Sequence, residues 1–232
     1  MGIGAAHQDH STMKLIDTLQ DEHVLIDRAL GSFRAYVDGL LDGTADPDDG
    51  RRFAAFFTEF AGHFHHAREE RVLFDALVTE AELPGDRGPV HALAHQHAEM
   101  EEWICEMTPL LEQRPNSEDD RVRLRALATR YSHALWRHID AENSVLFPEG
   151  ADRLRRCGIR ELPDRPMSEA EAAAREGAAA LLVRYPPIED DALARGDGCF
   201  ACRAYGETCD GLEAEWWTDL EWAEFYNTDA SD

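Results

Sequence analysis

The sequence is poor in positive charge. Lysine and arginine total 23 against 47 aspartates and glutamates, and Lys14 is the only lysine. A formal net charge of −24 argues against a nucleic-acid binder, because phosphate contacts need clustered basic side chains, and it disfavours anionic membrane surfaces as partners. Long apolar runs are also missing: none approaches the ~18–20 residues that span a bilayer. The N-terminus, MGIGAAHQDH, has neither the basic nor the apolar region of a secretory leader. Ala6 stands where a myristoylation signal beginning at Gly2 would carry Ser or Thr. These absences predict a cytoplasmic protein. Cysteine is scarce and odd in number (Cys105, Cys157, Cys199, Cys202 and Cys209), which points to free thiols or a metal or redox cluster more than to a disulfide framework.

What is present suffices for a well-cored domain with an appendage: 232 residues, 44% apolar and 30% charged. Turn-rich breaks divide the first two thirds into four helical segments. The first runs from about Thr12 to Leu41 and stops at DGTADPDDG; the second runs from about Arg51 to Ala81 and stops before LPGDRGP. The third runs from about Pro89 to Leu111. After QRPNSEDD, with Ser117 or Asn116 as N-cap, the fourth runs to Phe147 and stops at Pro148. Four helices with short connections predict an all-α, antiparallel up-down four-helix bundle. The expected division is a tail at 1–11, the bundle at 12–150 and a partly helical C-terminal extension at 151–232.

Each apolar seam carries a histidine among hydrophobic neighbours. Segment one reads Ile16, Leu19, His23, Ile26, Leu30, Phe33, Val37, Leu40. Segment three reads Val90, Leu93, His97, Met100, Ile104, Met107, Leu111. Segment four reads Leu124, Leu127, Tyr131, Ala134, His138, Glu142, Val145. Such steps of three and four mark the face a helix buries, and an unpartnered polar group there costs about 1–3 kcal/mol. Three insertions in three helices are explained together if they converge on one metal centre. Segment two shows Phe53, Phe57, Phe60 and Phe64 and then HHAREERVLF, whose His, Glu, Val, Leu and Phe recur in register in HIDAENSVLF of segment four. That echo pairs His65 with Glu69 and His138 with Glu142. His63 and His66 are the rivals for the segment-two position, with Glu70 as the alternative to Glu69. His7, His10, His91, His95 and His133 fall in the tail or off the seam.

Residues at i and i+4 share a helix face, so His-x-x-x-Glu offers an imidazole nitrogen and a carboxylate to one metal, or lets the carboxylate bridge two. His23, His65, His97 and His138 with bridging Glu69 and Glu142 make six ligands for two ions and leave positions open. Mixed imidazole and carboxylate ligation suits iron, manganese or zinc, and open positions suit redox iron. A ferritin-like carboxylate bundle would show Glu-x-x-His, and no Glu here precedes a His by three positions.

The stretches DEHVLI, HHAREERVLF, GPVHALAHQH and HIDAENSVLFP resemble the hemerythrin-like (HHE cation-binding) family over roughly residues 12–150. The resemblance implies a non-haem di-iron centre, two Fe ions, and a small diatomic ligand or peroxide as partner. The set of four histidines and two glutamates resembles that of bacterial di-iron proteins that repair iron centres. Oxygen-carrying members carry a further histidine where this chain has Leu93, and an Asp where it has Glu142. The functions implied are binding of or reaction with O2, NO or peroxide; donation of iron for repair of iron–sulfur centres; or a di-iron oxidase or peroxidase-like activity.

Beyond Gly150 a helix is expected from about Ser168 to Arg184, with Ser168 and Glu171 forming a capping box. Cys199, Cys202 and Cys209 form a CxxC with a third thiol, a candidate zinc or redox site. EAEWWTDLEWAEFY places Trp216, Trp217, Trp222, Phe225 and Tyr226 at helical spacing, suited to docking on the bundle or on a protein partner.

Overall fold

A computed structural model describes residues 13–113, 115 and 117–188. The described residues form five helices and no strand. Helix α1 spans Lys14–Asp42 and buries the whole seam read from the sequence, His23 included. It ends at Gly43, whose left-handed φ of 77° lets its N–H turn back to the carbonyls of Gly39 and Leu40. Helix α2 covers 49–79 and is irregular. Its ends, Asp49–Ala55 and Asp75–Thr79, are α-helical, whereas Phe56–His66 and Glu69–Phe74 are wound in wider π-type turns. Helix α3, Gly88–Gln113, buries Val90, Leu93, His97, Met100, Ile104, Met107 and Leu111, which is the expected stripe.

Helix α4 covers 118–156. Ser117 caps it by accepting the Asp120 N–H at 3.1 Å. The expected stop at Pro148 is corrected: after a π-type stretch at Glu142–Leu146 the chain continues as an α-helical segment over Phe147–Arg156. The widened turn has already interrupted the i→i−4 ladder, so Pro148 enters the first turn of a fresh segment, where its missing N–H is tolerated. Phe147, Ala151 and Leu154 reward the continuation by packing with Leu15, Ile16, Leu73 and Leu77. Helix α5, Glu169–Arg184, begins with the expected capping box of Ser168 and Glu171. It lies against α1 and α2. Ser32 Oγ donates to the Leu181 carbonyl at 3.3 Å, and Arg184 and Tyr185 both reach Asp49.

The hydrophobic interior is divided in two. One cluster holds Ile26, Phe33, Phe57, Phe60, Met100, Leu124 and Tyr131; the other holds Leu15, Leu19, Leu73, Leu77, Val90, Leu93 and Phe147. His23 sits between Leu19 and Ile26, His97 between Leu93 and Met100, and Glu142 between Ile139 and Leu146, each pair contributing one residue to each cluster. A polar layer therefore crosses the bundle at one level. Among the described residues, no helix is long and apolar enough to cross a membrane.

Candidate metal centre

That layer holds five histidines and two glutamates, all buried. His23, His65 and His138 are 1% exposed, His97 4%, His66 7%, and Glu69 and Glu142 0%. The structure brings together all six residues expected from the sequence and adds His66. The donor atoms form two groups, each within 4.8 Å: His23, His65, Glu69 and Glu142 in one, and His66, Glu69, His97 and His138 in the other. Glu69 belongs to both. Glu142 spans them as well, with Oε2 lying 3.3 Å from His23 Nε2 and 3.1 Å from His138 Nε2.

The sequence posed His65 and His66 as alternatives, and both point into the layer. At the α-helical rotation of about 100° per residue, neighbouring side chains diverge and one of two consecutive histidines must leave the seam. The π-type winding of Phe56–His66 turns less per residue, which keeps both imidazoles on the inner face; such wide turns recur at functional sites. Glu70 does not replace Glu69. It lies behind His97, where it accepts a hydrogen bond from Nδ1 at 2.8 Å. His63 is exposed and pairs with Glu59. His91 and His95 are exposed and His133 is half-buried. His7, His10 and the Cys199, Cys202 and Cys209 cluster lie outside the described residues, as does the Trp216 to Tyr226 segment.

Four of the imidazoles are held from behind. His23 Nδ1 donates to Asn143 Oδ1 at 2.9 Å, His65 Nδ1 to Glu22 Oε2 at 2.8 Å, His97 Nδ1 to Glu70 Oε1 at 2.8 Å, and His138 Nδ1 to Gln96 Oε1 at 3.0 Å. Carboxylate and amide oxygens only accept, so each Nδ1 carries a hydrogen and each Nε2 is directed inward, where its lone pair would meet a metal. This oriented pattern is the outer shell that metal-ligating histidines commonly show. His66 is placed by stacking: its ring lies 3.9 Å from that of His97 at an interplanar angle of 10°. Sequence reasoning missed these partners because they come from other helices or face away from the seam; Glu22 lies 43 residues from His65.

Several of the inward atoms lack a hydrogen-bond partner. His23 Nε2, His66 Nε2 and both oxygens of Glu69 and of Glu142 are buried with no hydrogen bond. With the rings neutral, each unsatisfied group would cost about 1–3 kcal/mol, a large part of a typical domain stability of ~5–15 kcal/mol. Metal ions would satisfy all of them. Metal–donor bonds of about 2.1 Å place neighbouring donors about 3.0 Å apart and opposed ones about 4.2 Å apart. The observed separations include 2.8 Å (His97 to His138), 3.2 Å (His65 to Glu69) and 3.6 Å (His97 to Glu69), so donor chemistry and spacing both fit.

Without metal, the carboxylates govern the local charge. Burial opposes a charged imidazole at His23, but the carboxylates of Glu142 and Glu69, 3.3 and 3.6 Å from its Nε2, prevail and raise its pKa to about 10. His65 is raised likewise, its burial overcome by Glu69 and Glu22. Burial and the nearby His97 hold His66 well below its ordinary value, and burial lowers His138 despite Glu142. Burial alone would raise both glutamates, yet their histidine neighbours hold Glu69 and Glu142 in the ionised form, well below the usual carboxylate range.

No curated protein and no solved structure gives a match to the chain. The family model described as hemerythrin HHE cation binding domain matches residues 14–149, a span that contains all seven converging side chains and more than half of the sequence. The chain therefore belongs to the hemerythrin HHE cation-binding domain family.

Proposed function

We propose that the buried layer holds two iron ions and that the protein binds or reacts with a small oxidant: O2, NO or peroxide. The observation that carries this is the convergence of buried donors, several of their atoms without a hydrogen-bond partner, in two groups that share Glu69. His23 and His65 would serve one ion, His66, His97 and His138 the other, with Glu69 and Glu142 between them. Two carboxylates offset half the charge of two divalent ions, which lowers the penalty of holding that charge in a dry interior. Bound iron would supply redox electrons and an open coordination position. The position served by His23 and His65 would have two imidazoles against three, so it would be the one to offer room for a small molecule.

The chain's own residues supply the setting. Leu19 and Ile26, Leu93 and Met100, and Phe147, which stacks on His23 at 5.4 Å, flank the layer with apolar surface and exclude water. Asn143, Glu22, Glu70 and Gln96 hold the rings and their tautomers. Iron content and the optical spectrum of freshly purified protein test the reading first; failure to take up ferrous iron would refute it. Exposure of the reduced protein to oxygen then separates the functions. A reversible spectrum supports binding or sensing, sustained consumption of peroxide supports an enzyme, and transfer of iron to an apo-acceptor supports a donor for iron–sulfur repair.

A further inference from the structure

His65 and His97 serve opposite sides of the layer, and each donates Nδ1–H to a carboxylate at 2.8 Å. The two carboxylates differ in their surroundings. Glu70, behind His97, is 42% exposed, and among the described residues no arginine or lysine is seen to pair with it. Glu22, behind His65, is buried, and both its oxygens accept from Arg68 Nη2, at 2.8 and 2.7 Å. Arg68 is itself only 2% exposed. Its guanidinium lies 4.0 Å from the Phe64 ring centroid, Nη1 faces Asp164 at 3.5 Å, and Nε has no acceptor.

A buried ion pair seldom repays its own desolvation, and an apolar pair of similar volume would often serve stability as well. What an apolar pair could not do is present a charge-compensated carboxylate to a ring nitrogen. We propose that Arg68 is a positioning residue that acts through Glu22 to set how strongly His65 donates electrons to its metal, so that the two metal positions are tuned separately. This rests on the di-iron reading above. A carboxylate on Nδ1–H draws the proton toward itself and makes the opposite nitrogen a stronger donor, which favours the oxidised metal; the guanidinium pulls the other way. Both charges are screened less than that of Glu70, because Glu22 and Arg68 are buried and Glu70 is exposed.

The test compares full-length iron-loaded wild type with Glu22→Gln, Arg68→Met and Arg68→Lys at mildly alkaline pH. Iron per chain is measured first, then the reduction potential by optically followed redox titration. Glu22→Gln preserves the acceptor but removes its charge; it should raise the potential and weaken iron affinity about 10- to 100-fold. Arg68→Met leaves Glu22 uncompensated and should lower the potential, while Arg68→Lys should stay close to wild type. Glu22→Gln and Arg68→Met break the same ion pair, so a purely structural tie would shift both in one direction or neither. Either of those results, with iron still bound, overturns the proposal. If Arg68→Met does not load, identical potentials in Glu22→Gln and Arg68→Lys overturn it instead. Wild type that takes up no iron would refute the di-iron reading, and the proposal with it.

Discussion

Replacing His66 by leucine should move the stability of the metal-free and metal-loaded proteins in opposite directions. In the metal-free protein His66 Nε2 is a buried polar atom without a partner, and burial with neighbouring His97 keeps the ring neutral. Leucine removes that atom and fills similar space, so it should stabilise the metal-free fold by about 1–3 kcal/mol, less what is lost from stacking on His97. For a domain of this size that is a rise in Tm of up to about 12 °C. In the loaded protein the same substitution removes one of three imidazoles from the group with His97 and His138, and content should fall from two irons per chain toward one. Ligand stabilisation grows by about 1.4 kcal/mol per tenfold in affinity, so the gap in Tm between loaded and stripped protein should narrow. Calorimetry of stripped and reloaded samples, with metal analysis on each, gives both numbers. If His66→Leu retains two irons at wild-type affinity and a wild-type Tm gap, His66 is a packing residue and the seven-residue layer is wrongly drawn.

Glu142→Gln should leave the fold intact but reduce iron to one per chain or less, since it removes the charge that spans His23 and His138; two tightly held ions by metal analysis would refute this. Metal uptake by the stripped protein should release at least one proton near neutral pH, because Glu142 and Glu69 raise the pKa of His23 to about 10 and that of His65 is raised too, and a pH-stat titration reads this directly. The linkage has a definite sign. The raised pKa of His23 stabilises the metal-free fold fully below 6.5, and that contribution is lost as pH rises toward about 10. Metal affinity should climb over the same window. Arg165 holds the Glu171 carboxyl down to about 2 through a bidentate contact, with the Ser168 backbone assisting. Its stabilisation is present above the ordinary value of 4.5 and lost as pH falls toward 2. Glu171→Gln should therefore destabilise the protein by about 1 kcal/mol at neutral pH, an amount discounted for the exposure of Arg165. Equal Tm values for the variant and wild type at neutral pH would contradict it.

Much of this was legible in one dimension because it depends on helical periodicity. The stripes of α1 and α3 are buried residue for residue as spaced, since a step of three or four keeps side chains on one face whatever the neighbouring helix is. Ser117 and Ser168 cap their helices for an equally local reason: a side-chain oxygen reaches an N–H three residues on. Periodicity also placed His23, His97, His138 and Glu142 inside, and the repeated His-x-x-x-Glu block pointed to His65 and Glu69.

Tertiary structure decided whatever departs from a fixed rotation per residue or joins distant parts of the chain. Whether His66 replaces His65 or joins it depends on the π-type winding of α2, which no spacing rule announces. The run of α4 past Pro148 depends on a second such stretch and on apolar contacts with α1 and α2. The carboxylates behind His65 and His97, and Arg68 behind Glu22, come together only when helices pack. Amino-acid order thus determined which faces would be buried and which residue types would meet there, because local backbone geometry is short-ranged. The number of histidines in the layer and the charge behind each ring were settled by packing, because hydrogen bonds and fields act through space and take no account of sequence separation.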